Sequence, residues 1–236
     1  MGNFKIFIDN KITPYFGKMG YEIKTRESIS FCRKDGDKEF FFELMPYMSE
    51  YNTKISYGIL FWQFQKIYRD VMQEKYVKNE TIKFDCFHGF YGMSEKKEYR
   101  RVELESEEDL IIAESIIKDI YENFAVPFFA ENNTLNKILS TMRKVDGVPF
   151  PMGNRIHSLS GERGIMLELF LTMLFLPDEM ESRVEYYKKA CHTASKEHEK
   201  KTGEKDGYLY ILDIMKDGIE KMKNANWDKI RKELIT

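Results

Sequence analysis

Strand-like alternation of apolar residues vanishes after residue 105, and that loss limits the architectures open to this chain. Most runs between residues 21 and 104 alternate with period two; beyond them, apolar residues recur every three or four positions. Tyr21, Ile23 and Thr25 alternate with charged neighbours, and residues 29–33 follow after a short break. Asp35-Gly36-Asp37 is a turn signal leading into residues 39–45. There Phe40, Phe42 and Leu44 share one face, with Phe41, Glu43 and Met45 on the other. Ile55, Tyr57, Ile59 and Phe61 then alternate with Lys54, Ser56, Gly58 and Leu60. These connections are too short for parallel crossovers, so the four runs predict an antiparallel meander. Two further strand-like runs, residues 81–88 and 97–104, bring the sheet to about six strands, with Gly89 and Gly92 marking the turn between them.

Helical patterns flank this sheet. Phe4, Ile8, Ile12, Tyr15 and Met19 form one stripe in the opening segment, where Pro14 should kink or restart the helix and Gly20 should stop it. Phe64, Ile67, Tyr68 and Val71 fit a short helix, with a continuing strand as the alternative. Ser106 followed by Asp109 resembles a capping box ahead of the stripe Leu110, Ala113, Ile117, Ile120 and Phe124. Pro127 ends or kinks that helix, and residues 133–144 carry a shorter one. Residues 165–176 are apolar except for Glu168 and Thr172. Twelve helical residues rise about 18 Å against a hydrocarbon core of about 30 Å, so this segment is expected to be a buried helix, not a membrane span. Met180, Val184, Tyr187, Cys191 and Ala194 follow as another stripe, then Tyr208, Ile211, Met215, Ile219 and Met222. Strands first and helices after predict an α+β fold: an N-terminal helix and antiparallel meander sheet followed by an α-helical C-terminal half. The irregular residues 148–163 are the one internal boundary, dividing 1–147 from a helical 148–236 expected to pack on it as one unit.

Composition narrows the function classes. Of 236 residues, 37 are basic and 39 acidic, a net charge of −2, which lacks the positive excess a nucleic-acid surface needs. Cys32, Cys86 and Cys191 are odd in number and far apart, which points to a reducing, cytoplasmic location. Asp9 stands where a signal peptide would carry its apolar core. No cofactor fingerprint occurs: phosphate loop, dinucleotide glycine motif, zinc-protease motif and nucleophile elbow are all absent from the sequence.

The remaining candidates are constellations. Cys86 and His88 share a strand face, as a metal or thiol–imidazole pair would, but Ile82 and Phe84 make that face apolar and favour simple packing. Cys191, His192 and His198 diverge around a helix and read as one solvated face with a buried thiol. Arg155, His157, Ser160 and Arg163 crowd a Gly/Pro-rich connection that opens a helix, where backbone N–H groups and two guanidiniums could hold a phosphate or carboxylate. The plainer reading is a polar connector with Ser160 as helix cap. Glu168 and Thr172, four apart, align in one stripe that reaches solvent, pairs with another helix or buries a catalytic carboxylate. Phe40, Phe41, Phe42, Trp62 and Phe64 give the sheet region aromatic character; one face should pack on helices, and the other, if left uncovered, would be a partner surface.

The stretch FIDNKITPYFGKMGYE, then SFCR and EFFFEL, and later YENFAVPFF, resembles a group of bacterial α+β proteins without established activity. The resemblance spans about the first 145 residues. Some members sit beside contact-toxin systems, which implies a protein-binding, immunity-like role by analogy. The resulting expectation is a bacterial, non-catalytic protein-binding module with a protein partner, no cofactor, no nucleic acid and no membrane. The rival is a small-molecule enzyme or anion binder built on the 155–163 loop, and an RNA-associated factor is a minor third.

Overall fold

The structure, a computed structural model, describes residues 2–25, 28–47, 49–72, 86–90, 102–103, 106–143 and 161–235. Among the described residues six strands form one antiparallel sheet: β1 Glu22–Thr25, β2 Ile29–Asp35, β3 Lys38–Tyr47, β4 Ser49–Phe61, β5 Cys86–Phe90 and β6 Val102–Glu103. The first four make the expected meander. Gly36, at φ +60°, takes the first central position of the two-residue turn between Asp35 and Lys38, a conformation that favours glycine. β5 and β6 do not extend the meander in series. Both pair with β4, β5 along Ser56–Leu60 and β6 at Asn52 and Thr53, while β3 occupies the other side of β4. The two short strands therefore lie end to end on one edge.

The opening helix consists of α1 (Gly2–Phe7), a π turn (Ile8–Ile12) and α2 (Thr13–Gly17). Pro14 has no N–H for the carbonyl of Asn10 and its ring crowds that carbonyl, so the helix widens just upstream. The N–H of Thr13 reaches back five residues to the Ile8 carbonyl. One residue is thereby added to the turn, and the inward stripe becomes Ile8, Ile12 and Phe16, all fully buried, while Tyr15 is only half-buried. Gly20, at φ +79°, then ends the segment and lets Tyr21 N–H reach the Phe16 carbonyl at 3.1 Å.

The same device recurs later. Helix α4 (Glu107–Ile120) starts on a capping box in which Ser106 and Asp109 exchange side-chain and backbone hydrogen bonds. It runs through a π turn (Tyr121–Ala125) into α5 (Val126–Glu131), and Val126 N–H reaches the Tyr121 carbonyl one residue before Pro127. Ala113, Ile117 and Ile120 face inward as the periodicity requires.

These segments cover one face of the sheet with aromatic rings. Register aligns Phe31, Phe42 and Tyr57 across three strands, with Phe40 opposite Ile59 and Leu44 opposite Ile55. Phe16 stacks on Phe31 at 4.4 Å and lies 5.0 Å from Phe42; Tyr121 stands edge-on to Phe16 at 4.9 Å. Phe129 meets Phe40 at 5.2 Å, and Phe128 meets Tyr57 at 5.5 Å. Such pairs contribute about 0.5–1.5 kcal/mol each beyond their area burial.

A second compact unit contains α3 (Trp62–Met72), α6 (Leu135–Arg143), α7 (Gly161–Phe175), α8 (Met180–Thr202), α9 (Tyr210–Lys223) and α10 (Trp227–Ile235). The division thus differs from a cut at residue 147: α3 and α6 belong with the later helices. Helix α7 is buried on nearly every side and contacts α6, α8, α9 and α10. Phe64 and Tyr68 of α3 pack on Phe170 at 5.6 and 5.1 Å, and Trp227 adds a third ring at 5.0 Å. Arg231 donates to the carbonyls of Met173 and Leu174, which the last turn of α7 leaves open. Among the described residues no helix is long and apolar enough to cross a membrane.

A fragment of residues 1–147 keeps α3 and α6 but deletes Phe170 and Trp227, leaving Phe64 and Tyr68 without their ring partners. It should be aggregation-prone by light scattering; a monodisperse fragment with a cooperative melt would show that these helices do not need α7.

Candidate functional site

Of the anion-site residues, Arg155, His157 and Ser160 lie outside the described residues. Arg163 is the third residue of α7, with its side chain outside the description as well. Three of the five aromatic candidates for a partner surface are buried. Phe40 and Phe42 are buried beneath the helices on the first sheet face, and Phe64 is buried against Phe170 in the second unit. Phe41 points to the opposite sheet face and is half-buried; Trp62, 46% exposed, begins α3. Period-two alternation separates Phe41 from its neighbours, and the switch from strand to helix at Trp62 separates the last two from the sheet.

Glu168, fully buried in α7, is the centre of a polar cluster. Its Oε1 accepts from Arg143 Nε at 3.1 Å and from the Thr172 hydroxyl at 3.1 Å. Arg143 also donates to Thr172 Oγ1 at 3.0 Å and to Glu179 at 2.6 Å, on the short 3-10 turn Pro177–Glu179. Arg183 of α8 brings Nε within 3.1 Å of the same Oε1 with its N–H not aimed at it, so that contact is an ion pair without a hydrogen bond. Its guanidinium lies over Tyr186 at 4.5 Å and Tyr187 at 5.2 Å. Oε2 of Glu168 has no hydrogen-bond partner among the described residues. Of the three fates open to the Glu168–Thr172 stripe, pairing with neighbouring helices is the observed one. Two carboxylates and two guanidiniums balance, as burial of charge requires. The network clamps α6, α7, α8 and the 3-10 turn together.

Sequence reasoning passed over a second polar group. Register places Lys24, Ser30, Glu43 and Ser56 in one row across the second sheet face. Glu43 is buried and accepts from the hydroxyls of Ser28, Ser30 and Ser56, the last two at 3.3 and 3.2 Å. Lys24 pairs with buried Glu39 at 2.5 Å. The available signal was the pair of serines, Ser30 and Ser56, standing opposite Glu43 in register. Burial pushes the Cys32 thiol up to about 12, with Lys24 opposing, so at neutral pH it is a packed thiol and not a nucleophile. Cys191, also buried, is pushed up to about 11 by desolvation. On β5, Cys86 pairs with Leu60 and His88 with Gly58 in the ladder. His192 is exposed on α8, and His198 pairs with Glu204 at 3.2 Å. Among the described residues no three His, Cys, Asp or Glu side chains gather as a metal site.

The most exposed large apolar side chain among the described residues lies elsewhere. Ile111 of α4 is 71% exposed and its neighbour Ile112 55%, with Ile6 of α1 at 58%. Within the run Leu110 to Ala113 only the two ends turn inward, because successive residues diverge by about 100°. The isoleucines flank an outward stripe of Glu108, Ser115 and Asp119, with Glu107 and Glu122 also exposed nearby. The sequence signal was a four-residue apolar run wider than an inward stripe needs.

Two predictions follow from the buried groups. Glu168→Leu should cost about 3–5 kcal/mol in chemical denaturation, because it takes the buried carboxylate away from Arg183 and leaves Arg143 only Glu179 and Thr172, while adding Arg143→Met and Arg183→Met should recover most of it. Equal losses in the single and triple variants would mean that shape, not charge, matters here. For Cys32, the folded thiol holds its proton up to about 12 against an ordinary 9.0. The unfolded chain loses that proton first, so stability is full below about pH 9 and falls as pH rises toward the folded value. Cys32→Ala should flatten that alkaline fall in urea titrations at about pH 8 and about pH 10.

Comparison with known protein families, with curated proteins and with solved structures finds no match, so what the chain does is read from its own residues.

Proposed function

We propose that the chain is a non-catalytic protein-binding module of a bacterial cytoplasm, immunity-like in role, whose contact surface is the outward face of α4. The observation that carries this reading is the exposure of Ile111 and Ile112 side by side on a helix whose inward face is already filled by Ala113, Ile117 and Ile120. Neither isoleucine is needed for the core, and two adjacent β-branched residues in water leave apolar area that a partner can cover. The resemblance to bacterial proteins found near contact-toxin systems supports the immunity-like role. This surface is preferred to the aromatic set, of which Phe40, Phe42 and Phe64 are spent on the two cores.

Covering both side chains would contribute about 2–4 kcal/mol, on the order of a hundredfold in affinity. Their replacement by serine should change stability by less than about 0.5 kcal/mol, since both are exposed. Wild-type chain and the double variant Ile111→Ser/Ile112→Ser would each be used as bait in native cells. Proteins captured by the wild type and lost with the variant, at equal melting temperatures, are the expected result. Identical captured sets would rule this surface out.

A further inference from the structure

The acidic character of α4 specifies the partner's chemistry, on the reading that this helix is the contact surface. Between residues 107 and 122 the chain carries six acids (Glu107, Glu108, Asp109, Glu114, Asp119 and Glu122) against one base, Lys118. That is a local net charge of −5 in a chain whose total is −2. Lys118 is already engaged by Glu114 at 2.6 Å. Asp119 accepts from Asn123, and Glu122 accepts from the Tyr15 hydroxyl, both neutral donors that leave the negative charge in place. Glu107 and Glu108 stand exposed at the helix start, where the backbone N–H groups favour acids. Asp109 is held in the capping box. Ile111 and Ile112 thus sit within a negative field whose range is about 10 Å at 0.1 M salt.

We infer that the occupant of this face is a basic protein surface, in which lysines and arginines ring an apolar recess that takes the two isoleucines. Opposite charge around the recess would speed encounter and set orientation, while the buried isoleucines would govern the lifetime of the complex. An anionic lipid surface would be repelled by the same field, and an acidic protein likewise.

The test uses the full chain and two synthetic amphipathic helices of about 18 residues, one of leucine and lysine and one of leucine and glutamate. Binding is followed by backbone amide shifts and by fluorescence anisotropy of the labelled peptide. The Leu/Lys helix should bind with shifts centred on α4, and raising salt from about 0.05 to about 0.5 M should weaken it about tenfold. Ile111→Ser/Ile112→Ser should abolish the α4 shifts, and Glu107→Gln/Glu108→Gln should weaken binding several-fold with helix content unchanged. Equal binding of both peptides, binding insensitive to the glutamine variant, or no binding of either would overturn the basic-partner inference. The interface reading itself fails only if the serine variant captures the same proteins in cells. A dimer in light scattering that the serine variant dissolves would assign the face to a second copy and would also overturn the inference. Binding to zwitterionic vesicles with the same isoleucine dependence would do so as well.

Discussion

Two missing hydrogen-bond donors set the geometry of the sheet-bearing unit. Pro14 and Pro127 cannot donate to the carbonyls four residues earlier, and each helix answers by widening into a π turn. A helix with one extra residue in a turn rotates everything downstream. In the opening helix that rotation seats Phe16 between Phe31 and Phe42; in the later one Tyr121 stands on the π turn itself and meets Phe16 edge-on. The aromatic layer on the sheet therefore depends on two backbone atoms that proline lacks. Its rings touch one another across segments a hundred residues or more apart, as the Tyr121 to Tyr21 hydroxyl contact at 3.3 Å also records.

The helical unit is ordered by a different constraint, the placement of charge in an apolar helix. Helix α7 could rotate among its neighbours at little cost if it were apolar throughout. Glu168 removes that freedom, because its carboxylate is tolerable only where Arg143 and Arg183 reach it. Both guanidiniums converge on a single oxygen. The arrangement fixes the rotation of α7 and the positions of α6 and α8 together, while Arg231 anchors its far end through two carbonyls.

Much of this was legible in the residues themselves. Alternation identified the meander and its turn at Gly36, and the all-round apolarity of residues 165–176 identified a buried helix. The capping box at Ser106 was also readable, with aspartate doing what glutamate usually does. Other features depend on information that periodicity does not carry. The π turns displaced the inward residue from Tyr15 to Phe16, since a fixed step of three or four assumes a fixed pitch. Glu39 and Glu43 alternate with Phe40, Phe42 and Leu44 and are buried all the same, because hydroxyls from β2 and β4 and Lys24 from β1 make their burial tolerable. Helices α3 and α6 joined the later helices because Phe170 and its neighbours needed covering, a demand that no local pattern expresses. The outward isoleucines of α4 were hidden within a stripe read only for its inward members.

The edge of β4 bears on how the chain is made. Strands β1 to β4 are local hairpins and can pair as soon as residue 61 has emerged, but the other side of β4 waits for residues 86–103. During synthesis a strand of 13 residues, with Ile55, Tyr57, Ile59 and Phe61 along it, stands with the backbone groups of one edge unmatched. An open edge of that length and composition is a template for pairing with another chain. Val102 and Glu103 are only two residues, yet with β5 they cover Asn52, Thr53 and Ser56–Leu60 of that edge. The vulnerable period is thus set by translation speed over about forty codons, on the order of 2–8 seconds at 5–20 residues per second.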